Sequence, residues 1–381
     1  MQEEFVRIIE NIYTDPTFTV RAQGTHSNPK RASSGIRQGC PMSPYLFLIV
    51  HSAIMHDVQE QLTEGGTQQL PTLHSQQRPL FDLAYADDTI IVARTAQRTQ
   101  QVLHLIESTA AQYNLNLNTA KCELLRMNVH TDVHFTAGNT VKVKQTARYL
   151  GVILRADGFT HTDVAARIGK ARAGYKKLHS FWRHADIPRS WKLKVFSTVF
   201  TPMLTYGMES ASLTAIDLQR LDGFQAECMR KIHSIKTTYY TKILDPSQPT
   251  LTNQQVLLQT KQTPLSHHIH SMQIKYLGHV LRANPDNLEY DIFLTGALNY
   301  RAGTCNSGSR RGRSRSHWVE QVTQCIWKRL LSLEHVITTY SAQLSFPHCF
   351  IQFRTLAQQR EFWKSIVKLP TSSEATPPPA Q

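Results

Sequence analysis

Two short runs that favour β-strands, FDLAY at 81–85 and TIIVA at 89–93, are separated only by Ala86, Asp87 and Asp88. So short a link pairs them antiparallel, with the aspartates at the tip of a tight hairpin. Adjacent carboxylates repel one another. Such a tip is therefore either a turn whose charges water screens or a site whose charges a cation neutralises. An isolated Asp-Asp pair favours the first reading. Two carboxylates on a rigid tip also suit a hard, oxygen-seeking cation such as Mg²⁺, and the surrounding sequence must decide between the two.

The elements around the hairpin alternate. Phe5, Ile8, Ile9 and Ile12 predict a helix over 3–13, which Asp15 and Pro16 end. TFTVRAQG alternates apolar and polar residues and reads as a strand entering a polar loop through residue 34. After Gly35 to Pro44 comes YLFLIVHSAIMHDVQEQL, the profile of a core helix. Residues 63–78 are polar and turn-rich, a surface excursion. A helix is expected from about 96 to 113, then short strands in LNLNTAKCELLRM, VKVKQ and RYLGVIL. Helices alternating with antiparallel hairpins define an α+β sheet domain over 1–158.

Beyond it the pattern becomes helical. Val164, Ile168, Ala171, Tyr175, Leu178 and Trp182 share one face of a long helix, and further helices at about 189–206 and 214–234 complete a domain over 159–244. A mixed region over 245–370 includes the Gly, Ser and Arg-rich stretch 301–315, and the low-complexity tail 371–381 is expected to be disordered.

Charge narrows the partner. Forty-two Lys and Arg against 28 Asp and Glu give a net charge of +14, which favours a polyanion, either nucleic acid or an anionic membrane surface. Residues 161–194 hold nine Lys and Arg against Asp163 and Asp186 alone. This is either a solvated face of a helical bundle or a grip on phosphates. The stretch 301–315 has five arginines and no acid, which suits phosphate contact without sequence preference. No segment approaches the roughly 18 to 20 apolar residues that cross a bilayer. The opening MQEEFVRIIENIYTDP lacks the pattern of a signal peptide. An intracellular protein with a nucleic-acid partner and no membrane is the expectation. The six cysteines are far apart with no CxxC pair and are expected as reduced thiols. The cluster His267, His268 and His270, with His279 beyond it, lacks the spacing and cysteine support of a zinc site.

SSGIRQGCPMSPYLF, followed about forty residues later by YADDTIIV, resembles the palm of a reverse transcriptase of the non-LTR (LINE-like) retrotransposon type. The similarity continues in order through YNLNLNTAKCELL, RYLGVIL, YLGHVLRANPDNL and RRGRSRSHW. The resemblance implies a partial right-hand polymerase palm over 1–158, followed by a helical thumb. It further implies an RNA-directed DNA polymerase that extends a DNA primer on an RNA template from dNTPs with two Mg²⁺ ions. An RNA–DNA duplex is then the bound form.

Residue by residue, the resemblance makes Asp87 the principal metal-binding carboxylate, with Asp88 supporting it and Tyr85 beside the primer end. Gly35 and Gly39 bracket Arg37 and Gln38 in the loop that contacts template or incoming nucleotide. Lys121 matches the lysine that protonates departing pyrophosphate. Tyr149, Leu150 and Gly151 match the primer grip. Arg167, Lys170, Lys176 and Lys177 on the thumb helix, and Arg310, Arg311, Arg313 and Arg315 downstream, are the expected backbone contacts.

One departure qualifies the match. The family places a further catalytic aspartate on a palm strand ahead of the helix with which this sequence begins. The acids upstream of Gly35 are Glu3, Glu4, Glu10 and Asp15, none at the end of a strand-like run. The chain is thus expected to be the C-terminal part of a longer polyprotein and inactive alone, with a non-catalytic nucleic-acid-binding remnant as the alternative. A nuclear site is compatible with a family whose elements insert into chromosomes.

Overall fold

The computed structural model describes residues 3–32, 35–36, 39–64, 82–237, 239, 241, 243, 247, 250–284, 287–295, 318–330 and 353–369. Their architecture is α+β, in two compact units. One draws on Met1–Gln69, Phe81–Thr119 and His134–Asn139, the other chiefly on Ala120–Val133 and Thr140–Gln381.

In the first unit, helix α1 (Glu3–Tyr13) forms where the spacing predicts it, yet none of its residues is buried. The segment TFTVRAQG is not one strand. Strand β1 (Thr17–Phe18) pairs with β4 (Lys30–Arg31), while β2 (Arg21–Ala22) pairs with β3 (Thr25–His26). The chain turns back at Gln23 and Gly24, both at positive φ (48° and 83°). All four short strands are exposed, so no buried face fixes a longer register and the turn sets the pairing.

Helices α2 (Ser43–Glu64) and α3 (Ala96–Gln112) pack together, burying Ile54, Val58 and Leu62 from one and Val102, Leu103 and Ile106 from the other. Each such side chain contributes roughly 1.5–3 kcal/mol. Tyr113 Oη donates to Asp57 Oδ2 at 2.7 Å, and Thr95 caps α3 by accepting from Arg98 N. The expected core helix is covered in its second half alone: Tyr45, Leu48 and Ile49 are exposed. Strands β5 (Asp82–Tyr85) and β6 (Asp88–Ile91) form the hairpin read from the sequence.

In the second unit, β7 (Glu123–Leu125) pairs parallel with β8 (Lys142–Lys144), and β9 (Thr146–Tyr149) forms a hairpin with β10 (Val152–Arg155). Strands among the described residues thus occur as five separate two-stranded ladders. The helix expected from Asp163 to Trp182 is two: α4 (His161–Lys177) and α5 (His179–Arg183), interrupted at Leu178, which is exposed. The break lets Trp182 stack on Tyr175 (centroids 4.5 Å apart) and donate its indole N–H to the Tyr175 carbonyl at 2.9 Å.

Helix α6 (Arg189–Val195) runs through a π-helical segment, Phe196–Phe200, into α7 (Thr201–Thr205). Helix α8 (Ala215–His233) opens on a capping box between Thr214 and Asp217. Then come α9 (Asn253–Gln259), α10 (Leu265–Arg282), α11 (Trp318–Leu330) and α12 (Arg360–Lys368).

Two apolar cores result. Tyr175, Trp182, Phe200, Leu221 and Phe224 anchor the first; Leu277, Leu281, Trp318, Ile326, Phe353 and Trp363 anchor the second. Helix α10 feeds both, Leu265 and Ile269 into the first and Ile274 to Leu281 into the second. The buried Arg329 guanidinium donates to the carbonyls of Val367 (2.6 Å) and Ile366 (3.3 Å), satisfying the C-terminal end of α12. Among the described residues no helix is long and apolar enough to cross a membrane, and Cys40, Cys122, Cys228 and Cys325 form no disulfide.

Candidate catalytic hairpin and nucleic-acid interface

The β5–β6 hairpin pairs Tyr85 with Asp88, leaving Ala86 and Asp87 as a two-residue loop. Asp88 is therefore on the strand rather than at the tip, and as the cross-strand partner of Tyr85 it projects from the same face. Ala86 sits at φ 54°, a region that costs an L-residue roughly 1–2 kcal/mol. Tyr85, Asp87 and Asp88 are all exposed, Tyr85 by 65%. The carboxylates thus present their oxygens to solvent at the end of a paired ladder.

Sequence reasoning passed over the hairpin's support. His51 on α2 shares a hydrogen bond with Thr89 Oγ1 on β6 at 3.2 Å. Burial raises the Asp82 carboxyl above its ordinary value, opposed by the nearby His51 charge. An acid at the start of an otherwise apolar strand was the available signal. In the loop ahead of α2, Gly35 and Gly39 lie at φ 84° and 85° with no atom near where a Cβ would stand, so the backbone conformation alone requires glycine there. Arg37 and Gln38 between them lie outside the described residues, as do Arg310, Arg311, Arg313, Arg315 and the tail.

The other expected residues belong to the second unit. Lys121 is exposed in the turn before β7. The β9–β10 hairpin turns at Leu150 and Gly151, both at positive φ (46° and 81°), as a tight two-residue hairpin demands. Helices hold this turn in place. Tyr206 Oη donates to the Leu150 carbonyl at 3.2 Å, and Arg167 Nη2 donates to the Gly151 carbonyl at 3.4 Å. Arg167 Nε also donates to Asp163 Oδ2 at 2.7 Å, and Asp163 Oδ1 accepts from Ile153 N at 3.0 Å.

Arg167 is thereby corrected. It is buried, with Asp163 and the hairpin as its partners, and does not stand on the outward basic face. Asp163 and Tyr206 are the residues sequence reasoning missed, although the Asp163–Arg167 spacing of i,i+4 was a visible sign. Lys170, Lys176 and Lys177 are exposed, with no carboxylate partner among the described residues, whereas Arg172 pairs with Glu227 at 2.9 Å.

Histidines 267, 268 and 270 lie within α10. Burial, with the charges of Arg329, His267 and Lys328, lowers His270 to about 4, and burial also lowers His268. Among the described residues the one potential three-ligand group is His56, Asp57 and Glu60 on exposed α2 turns, which includes neither these histidines nor Asp87 and Asp88.

The family model described as reverse transcriptase (RNA-dependent DNA polymerase) matches residues 2–154. A Retrovirus-related Pol polyprotein from type-1 retrotransposable element R2 of Popillia japonica is 25% identical over 246 residues, 61% of this chain and 37% of that protein. The RNA-directed DNA polymerase from mobile element jockey of Drosophila funebris is 22% identical over 245 residues, 61% of this chain and 25% of its own. The transposon TX1 uncharacterized 149 kDa protein of Xenopus laevis is 25% identical over 187 residues, covering 46% and 14%. The chain spans well under half the length of these relatives.

Proposed function

We propose, from the match of residues 2–154 to the reverse transcriptase family and the likeness to non-LTR retrotransposon proteins, that the chain is part of such a reverse transcriptase, binds an RNA template with a DNA primer, or their duplex, and carries one part of the centre that joins dNTPs to the primer. The observation that carries this reading is the exposed pair of carboxylates on a rigid, solvent-facing hairpin. In donor chemistry Asp87 and Asp88 fit a hard divalent cation, Mg²⁺ being the expected one and two ions the complete complement. A cation held there supplies charge neutralisation to the attacking and leaving oxygens of phosphoryl transfer.

Among the described residues the donor set comprises these two carboxylates. Among the described residues no third His, Cys, Asp or Glu joins the two aspartates in a potential ligand cluster. We therefore propose that this chain alone holds nucleic acid without extending it. A further polymerase segment, supplied by a longer polyprotein or another chain, would complete the centre.

The first unit offers a surface for that segment. Phe5, Val6, Ile8 and Ile12 of α1 are 39–58% exposed, and Tyr45 and Ile49 of α2 are 69% and 51% exposed. An apolar display of this extent marks an interaction face. On the nucleic-acid side, Lys170, Lys176 and Lys177 supply exposed positive charge, and the braced Leu150–Gly151 turn is the expected primer contact.

Primer extension on an RNA template, with the chain and with Asp87→Ala, tests the catalytic half. Incorporation by the chain that vanishes in Asp87→Ala would show that the carboxylate set is complete. Affinity for an RNA–DNA duplex as salt is raised tests the binding half. A steep log-linear fall is expected, and a flat response rejects it.

A further inference from the structure

The chain has five tryptophans. Trp182, Trp318 and Trp363 are buried, and Trp327 packs against Phe353 with ring centroids 5.2 Å apart. Trp191 on α6 is the exception, 58% exposed. One helical turn on, Lys194 Nζ lies 5.2 Å from the centroid of its ring. The same short helix packs the half-buried Leu193 and Val195 against the first core of the second unit, so the indole is presented by an anchored element.

Leaving an indole in water forgoes stabilisation that most tryptophans obtain by packing, and the ammonium beside it polarises the ring. A flat π surface beside a cation is complementary to a nucleotide, the base lying on the ring and the phosphate meeting the charge. The charge nearby in the chain agrees, since residues 183–194 carry Arg183, Arg189, Lys192 and Lys194 against Asp186 alone. Arg183 and Arg189 are exposed without a carboxylate partner among the described residues. A duplex keeps its base faces inside its own stack, so the ring suits an unpaired base.

We infer that Trp191 is a stacking platform for an unpaired base of single-stranded nucleic acid, with Lys194 beside it for the adjacent phosphate. The inference rests on the nucleic-acid-binding reading above and adds to it a contact point and a strand preference.

The test uses the whole chain and two fluorescent probes, a mixed-pyrimidine RNA of roughly 12 nucleotides and a blunt RNA–DNA duplex of the same length, read by anisotropy. Trp191→Ala is expected to lose roughly 5- to 150-fold in affinity for the single strand, the range of one base–aromatic stack. It should lose much less for the duplex, and its salt slope should be unchanged because no phosphate contact is removed. Trp191→Phe should retain most of the affinity. An unchanged affinity in Trp191→Ala, or an equal loss on both probes, overturns the inference while leaving duplex binding intact. Self-association of the wild type that Trp191→Ala abolishes would assign the ring to a protein interface instead. A wild-type chain that binds neither probe overturns both the inference and the reading beneath it.

Discussion

Gly278 sits in the C-terminal part of α10 (Leu265–Arg282) where Trp363 of α12 packs on it. A Cβ at this position would collide with Trp363 Nε1 and lie 2.6 Å from Cε2. The indole is 3% exposed, and its N–H donates to the Ile274 carbonyl at 3.0 Å. It therefore cannot swing away without leaving the core and orphaning its N–H. For Gly278→Ala, overpacking costs about 1–3 kcal/mol and the displaced indole hydrogen bond about 1–3, offset by about 1 from alanine's helix propensity. The net expectation is a destabilisation of about 3 kcal/mol, measured by urea denaturation followed by far-UV circular dichroism. Gly169→Ala in α4 is the matched control: nothing lies within 4 Å of its Cβ position, so the same change there should stabilise by up to about 1 kcal/mol. If the clash is the cause, Gly278→Ala combined with Trp363→Leu should be less destabilised than the sum of the two single changes by at least about 1 kcal/mol. A Gly278→Ala chain as stable as wild type, or strict additivity in the double variant, would refute the reasoning.

His270 has a folded-state value of about 4 against 6.5 when unfolded. The unfolded chain therefore takes up a proton that the folded chain refuses. Stability is full above pH 6.5 and falls by about 3 kcal/mol on the way to pH 4, and His270→Asn should flatten that part of the profile. Arg167→Met leaves Asp163 charged in a site where both side chains are under 10% exposed. It should cost about 3 kcal/mol in the same denaturation assay, recovered in large part by Asp163→Leu in the same chain. Replacing Lys170, Lys176 and Lys177 together by Gln should lower the salt slope of duplex binding by about 2 to 3 if each meets a phosphate. An unchanged slope would move the duplex elsewhere. Asp87→Asn should leave duplex affinity within about twofold in the absence of divalent cation, because the carboxylate is not a phosphate contact.

How much of this was legible in the sequence depends on whether the cause of each feature is local. The YADD hairpin was legible because alternation and a short link determine it within a dozen residues. Val164, Ala171, Tyr175 and Trp182 were legible as a buried face because they keep helical spacing. Leu178 keeps the same spacing and is exposed. There the helix breaks, and the Tyr175 carbonyl accepts from the Trp182 indole, a choice periodicity does not encode. Arg167 looked like one more cation on a basic face; the carbonyl of Gly151 and the carboxylate of Asp163 draw it inward. Gly278 and Trp363 lie far apart in the sequence, and neither carries a local sign of the other.

The exposed apolar faces of α1 and α2 teach a different lesson. Helical periodicity records that a face is to be covered, and says nothing of what covers it. Phe5, Ile8, Tyr45 and Ile49 satisfy the pattern of a core while 51–69% of each is exposed. The same division runs through the site: Asp87 and Asp88 are readable from their hairpin alone, while the remaining ligands of a metal centre need not lie near them in sequence. The proposed function asks one further segment both to cover this face and to bring a carboxylate to Asp87 and Asp88. If that is correct, a segment that restores primer extension must also protect α1 from proteolysis, and recovery of either without the other would separate the two observations.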